Sequence, residues 1–184
     1  MHTPSCRILA ISGSLRRASS NSAIVRVATR VAPPGTRVEV YDGIGGLPFF
    51  NPDFDRELDD PALPDAVRTL RSVVSANDAL FISSPEYAHG VPGVLKNALD
   101  WLVGGPEMVH RPVLLLNTSP HSTHAQASLA ETLHTMSARV LTVPPIELPR
   151  SAGALDEDAL AADPAVGPPL ADALRQLRDL CSAP

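Results

Sequence analysis

Lysine is almost missing from this 184-residue chain: Lys96 is the sole example and every other base is arginine. Together with 19 prolines and abundant alanine, this reads as a compositional bias, so the arginine count alone says little about function. Cysteine is scarce too. Cys6 and Cys181 lie near opposite ends of the chain without CxxC spacing, which makes neither a metal-binding motif nor a disulfide framework. Reduced thiols and a cytoplasmic protein are the expectation. Met1–Arg7 lacks a basic stretch followed by an apolar run, so no secretory leader is expected. No segment reaches the ~18 consecutive apolar residues of a membrane span. Basic excess is absent as well: the net charge is −5, which leaves no positive field for nucleic acid or anionic lipid.

What is present suits one globular domain. Hydrophobic residues make up 44% and charged residues only 19%, at a length that allows a sizeable core. Arg7–Ser12 is a short apolar run closed by Gly13, as a buried parallel strand reads. Asn21–Ala32 has apolar residues at helical spacing and ends at Pro33-Pro34-Gly35. Thr36–Tyr41 alternates as a second strand, and Asp42–Pro61 is loop-like with apolar residues that should pack over something. A helix is expected over Pro64–Ala76, a strand over Asp78–Ser83 and a Pro-started helix over Pro92–Val103. A strand at Arg111–Asn117, a helix at Ala125–Ala138, a fifth strand from Val140 and a closing helix at Pro168–Cys181 complete the alternation. Asp156–Pro169 reads as an acidic connection. Strands alternating with helices predict a five-stranded, doubly wound parallel sheet. Ligands of such sheets bind beyond the carboxyl ends of the strands, where the strand order reverses. The loops to inspect are therefore Ser12–Ser22, Ser84–Gly90 and Thr118–His124, with Gly43–Phe50 as a further wall.

The first of these loops leaves a strand and enters a helix, whose start offers unpaired N–H groups and a positive dipole end. Ser14, Ser19, Ser20, Asn21 and Ser22 add short polar groups, and Arg16 adds a fork suited to phosphate oxygens. An ordinary N-cap would use the same residue types, and composition leaves the two readings even. The loop has neither GxxxxGK[ST] nor GxGxxG, which points away from nucleoside triphosphates and classical dinucleotide sites and toward a mononucleotide. The second loop, Pro85-Glu86-Tyr87-Ala88-His89-Gly90, precedes Val91-Pro92-Gly93. Its flat side chains and backbone donors suit a planar ring, although a rigid turn would look alike.

Ser12-Gly13-Ser14-Leu15-Arg16 with Ser19 and Asn21, Pro85-Glu86-Tyr87, and Pro92-Gly93-Val94-Leu95-Lys96-Asn97-Ala98-Leu99-Asp100-Trp101 resemble the NADPH-dependent FMN reductase family of the flavodoxin-like superfamily, which includes quinone, chromate and azo-dye reductases. The resemblance spans roughly Arg7–Leu116. It implies a flavodoxin-like flavoprotein oxidoreductase in which Ser14, Arg16, Ser19, Ser20, Asn21 and Ser22 surround the FMN phosphate. It implies that Pro85, Glu86, Tyr87, Ala88, His89 and Gly90 line the isoalloxazine ring. NADPH or NADH would give hydride to the flavin, which passes it to an acceptor, with no dedicated catalytic side chain. Quinone, free flavin, azo dye, metal oxyanion and nitroaromatic acceptors all stay open. A homodimer or dimer of dimers is implied by the helix carrying Trp101. Two departures stand out: Ala88 replaces the family's usual Asn, and Thr118–His124 replaces its small, glycine-containing third loop. An electron carrier of flavodoxin type is the competing class, and Arg16-Arg17 weighs against it. A binding protein with a degenerate site is the third.

Overall fold

The computed structural model describes residues 6–55, 61–148 and 156–181. Residues 1–5, read above for a leader, and residues 56–60 of the long loop lie outside that range. The strands are β1 (Cys6–Ser12), β2 (Thr36–Tyr41), β3 (Ala79–Ser83), β4 (Pro112–Leu116) and β5 (Arg139–Thr142). The helices are α1 (Ser20–Val31), α2 (Asp65–Ser75), α3 (Gly93–Asp100), α4 (Thr123–Thr135), α5 (Glu157–Ala162) and α6 (Gly167–Cys181). All strands pair in parallel, in the order β2-β1-β3-β4-β5.

This order decides where the helices go. The chain steps from β1 to β2 in one direction and then from β2 through β3, β4 and β5 in the other. Right-handed crossovers therefore place α1 on one face and α2, α3 and α4 on the opposite face. The side-chain alternation of the strands follows suit. Ile8, Ala10, Phe81, Leu114 and Leu116 join α1 and α6 in one core cluster. Leu9, Ile11, Leu80, Ile82, Val113 and Leu115 join α2, α3 and α4 in the other. A strand buried on both faces has no polar alternation, which is why β3 and β4 are entirely buried apolar runs apart from Ser83.

The main departures from the sequence reading are two helix ends and one added helix. α3 stops at Asp100, and Trp101–Gly104 continues as turns. α4 stops at Thr135, because Ser137 turns into the left-handed region at φ 63°. The acidic connection contains α5, whose N-cap Asp156 accepts from the N–H of Asp158 and whose Leu160 is buried. Its single buried apolar residue gave no periodic signal. α5 packs on α1 through Arg26–Glu157 and Arg30–Glu157 ion pairs.

The long loop after β2 is fastened to α3. Asn97 donates Nδ2 to the carbonyl of Pro48 at 2.9 Å and accepts the N–H of Phe50 at 2.8 Å. The fully buried Trp101 donates its indole N–H to the same Pro48 carbonyl and meets Phe50 edge-on at 5.0 Å. Lys96 and Asp100 form the expected pair one helical turn apart.

Leu174, fully buried on α6, tests the docking of that helix. Leu174→Ala is expected to cost about 2–5 kcal/mol in urea unfolding, whereas Val103→Ala at an exposed site should stay within about 0.5 kcal/mol.

Candidate active site

The reversal in strand order falls between β1 and β3, so the loops leaving Ser12 and Ser83 open side by side. They are joined directly: Gly13 donates its N–H to the carbonyl of Ser83 at 2.8 Å. A Cβ on Gly13 would stand 2.5 Å from Ser84 Oγ and 3.1 Å from Leu95 Cδ2, so only glycine allows this approach.

The first loop is held by its own serines. Ser14 is buried and receives the N–H of Arg16 on its Oγ at 3.2 Å, while its own N–H donates to Ser12 Oγ at 3.2 Å. Ser19 is the N-cap of α1 and accepts the N–H of Ser22 at 3.3 Å. The capping reading and the anion-cradle reading thus meet in one loop: Ser19 caps, and the first N–H groups of α1 have no intrahelical acceptor. Asn21 Oδ1 accepts from Ser83 Oγ at 2.9 Å and Thr118 Oγ1 at 3.3 Å, so one side chain ties together the three loops. Among the described residues no carboxylate pairs with Arg16 or Arg17, and both guanidinium groups are exposed at the loop.

A pocket of about 260 Å³ lies between the loops, lined by Ser14, Arg16, Ser19, Ser20 and Asn21 from the first, Pro85, Glu86 and Tyr87 from the second, and Asn117, Thr118, Ser119 and Ser122 from the third. Eight of the twelve residues predicted for cofactor binding meet there. Ser22 does not: it lines an adjoining pocket of about 210 Å³ that shares Ser14 and Arg16 with the first and adds Leu15, Arg17, Tyr41 and Ile44. Its hydroxyl is engaged with Ser12 Oγ at 2.9 Å. Burial holds the Tyr41 phenol in that second pocket above its usual range, so it stays a neutral hydroxyl.

Ala88, His89 and Gly90 lie outside the lining, for a backbone reason. Ala88 and His89 take φ of 49° and 61°, and Tyr87 and Gly90 exchange N–H···O bonds of 3.1 and 2.9 Å across them. This is a primed two-residue turn, which favours Asn-Gly. An Asn at the position of Ala88 would therefore have a conformational rationale that a side-chain reading overlooks. Glu86 is partly buried, and its carboxylate accepts the N–H of Ala125 at 2.8 Å, capping the start of α4 from another loop. His89 stacks on His124 at 4.2 Å, a second contact between the same two loops.

Asn117 escaped the sequence reading. Its Oδ1 accepts from the N–H of Ser119 at 3.0 Å and its Nδ2 donates to the carbonyl of Ser122 at 2.9 Å, shaping the third loop. An Asn at the end of a strand before a Ser/Pro/His segment is the available signal. Among the described residues no group of three or more His, Cys, Asp or Glu stands at metal-binding spacing.

A free guanidinium, a helix start and buried hydroxyls facing one polar pocket fit a ribityl phosphate, and the flat Pro85–Tyr87 wall fits a ring attached to it. Residues 6–154 match the family described as NADPH-dependent FMN reductase. The chain belongs to that family. It is an oxidoreductase with FMN and NAD(P)H as its cofactors. A Pseudomonas aeruginosa protein named NAD(P)H-dependent FMN reductase is 36% identical over 82% of this chain and 81% of its own length. An Escherichia coli quinone reductase is 32% identical over 61% of this chain and 60% of its own length. The solved flavoenzyme NAD(P)H:(acceptor) oxidoreductase of Paracoccus denitrificans superposes with a TM-score of 0.73 at 25% identity, covering 96% of this chain and 97% of its own.

The left-handed conformation of Ala88 gives a direct test. Ala88→Asn is expected to raise stability by about 0.5–1 kcal/mol, read as an upward Tm shift of roughly 1–4 °C.

Proposed function

We propose that FMN occupies the pocket between the three loops, that NADPH or NADH supplies the hydride, and that a quinone is the acceptor. The observation that carries this reading is the meeting of Ser14, Arg16, Asn21 and Tyr87 around one polar pocket at the β1/β3 reversal. The quinone reading rests on the relatives: besides the Escherichia coli protein, a Burkholderia protein named 2-hydroxy-1,4-benzoquinone reductase is 38% identical over 52% of this chain and 49% of its own length.

In this assignment Arg16 holds phosphate oxygens with its fork, and Ser14, Ser19, Ser20 and the start of α1 supply further donors. Pro85 and Tyr87 flank the ring, and Tyr87 stays 56% exposed at the pocket's edge, leaving room for a flat second molecule. The bound flavin supplies hydride acceptance and donation. The chain's part is to position and to desolvate one side of the site. Glu86 lines the pocket with one carboxylate oxygen engaged by the N–H of Ala125.

A cytoplasmic homodimer is part of the same proposal. Cytoplasmic operation follows from dependence on NAD(P)H, and among the described residues no helix is long and apolar enough to cross a membrane. Exposed Phe49 lies on the loop fastened to α3, and exposed Val103 and Val109 follow α3; each offers apolar area for a second copy.

Visible absorbance with added FMN, followed by anaerobic NADPH and then a benzoquinone, tests the proposal. Bound flavin bleached by NADPH and recovered by the quinone is expected; bound flavin that neither NADPH nor NADH bleaches would assign an electron carrier instead. Arg16→Ala separates the phosphate contact from the ring contact. FMN affinity should fall roughly 10–100-fold while riboflavin affinity is unchanged, from the loss of about 1.5–3 kcal/mol of charge-assisted bonding. Equal losses for both flavins would remove Arg16 from the phosphate.

A further inference from the structure

The cysteines that the sequence separates by almost its whole length are brought into contact by the fold. Cys6 is the first residue of β1 and fully buried, and its N–H donates to the carbonyl of Gly35. Cys181 ends α6 and is partly exposed. Their Sγ atoms stand 3.0 Å apart, across 175 residues of chain. Both are free thiols, and neither belongs to the pocket described above, which lies at the carboxyl ends of the strands.

We infer that Cys6 and Cys181 are a redox-active pair that closes into a reversible disulfide on reaction with a low-molecular-weight disulfide, fastening the last helix to the first strand. The two positions differ in the way such a pair requires. Cys6 is held inside the sheet, paired in register with Thr36, and solvent reaches the pair from the Cys181 side. The last turn of a helix adjusts easily, so closure from contact to bonding distance falls on α6 rather than on the sheet.

Electrostatics assigns the order of events. The hydrogen bond from Cys6 lowers the Cys181 thiol below its ordinary pKa, with Arg111 and Arg139 acting in the same direction against burial and Asp78. The same contact, burial and Asp78 push Cys6 up, opposed only by Arg178. Cys181 is therefore the attacking thiolate and Cys6 the resolving thiol. Cys181 attacks one sulfur of the external disulfide, forming a mixed disulfide and releasing one thiolate. Cys6 then loses its proton and displaces the second thiolate, forming Cys6–Cys181. The protein loses two protons and two electrons, and the external disulfide takes both up to become two thiols.

The consequence is mechanical. α6 contributes Leu170, Ala173, Leu174 and Leu177 to the core cluster that includes Ile8 and Ala10 of β1, and its end is where fraying would begin. A bond there closes a ring around nearly the whole chain, the arrangement in which chain-entropy stabilisation is largest.

Intact-mass spectrometry of the reduced full-length protein treated with bis(2-hydroxyethyl) disulfide, then with dithiothreitol, provides the test. Expected are the loss of two hydrogens without any adduct, a Tm raised by roughly 5 °C or more, and reversal of both by dithiothreitol. Cys6→Ala should instead retain one mercaptoethanol adduct on Cys181, and Cys181→Ser should be unreactive at Cys6. A persistent adduct on wild-type Cys181, two thiols that stay free, or a disulfide linking two chains would each overturn the inference.

Discussion

The contact between Gly13 and the end of β3 is the constraint on which the site depends. One N–H···O bond to Ser83 and the absence of a Cβ opposite Ser84 set the first two loops against each other. The geometry of the sheet makes this possible, because β1 and β3 are adjacent and in register from Ile8 opposite Ala79 to Ser12 opposite Ser83. Their connecting helices leave toward opposite faces, so the chain diverges directly above the bond. Asn21 then reaches back to Ser83 and across to Thr118, which turns two diverging loops into three walls of one pocket.

The parts legible from the sequence are those whose signal is local. β2 follows Thr36–Tyr41 as its alternation predicts, and the stripe Leu63, Val67, Leu70 and Val74 is buried as a helix-face reading predicts. Ser14, Arg16, Asn21 and Tyr87 could be placed near one another because the doubly wound topology itself specifies which strand ends converge. The parts that were not legible depend on partners distant in the chain. That Glu86 caps α4 and that Ser22 meets Ser12 Oγ are contacts no local pattern announces. α5 has too few buried residues for a pattern, and its position follows from arginines on α1.

The second and third loops behave as one unit. The strained turn at Ala88 and His89 is held in place by the Tyr87–Gly90 bonds on one side and by the stack of His89 on His124 on the other. Left-handed backbone at non-glycine residues costs free energy and persists where surrounding contacts over-determine it. His124, in the first turn of α4, supplies such a contact. His124 thus buttresses a turn whose first position, Ala88, lacks the Asn that such turns favour.

Arginine pairing distinguishes compositional bias from function. Arg7, Arg26, Arg30, Arg37, Arg68, Arg71, Arg175 and Arg178 each stand within ion-pair distance of a carboxylate, and Arg111 donates to the carbonyls of Glu107 and Asn77. The acidic chain neutralises these arginines. Among the described residues no carboxylate pairs with Arg16 or Arg17, which precede α1, whose start adds its own positive end. Concentrating uncompensated positive charge there is unfavourable for the empty protein, through repulsion between adjacent guanidinium groups and the dipole. A bound phosphate reverses that sign, so the charge pattern favours the loaded state in a chain whose net charge would otherwise repel an anionic cofactor.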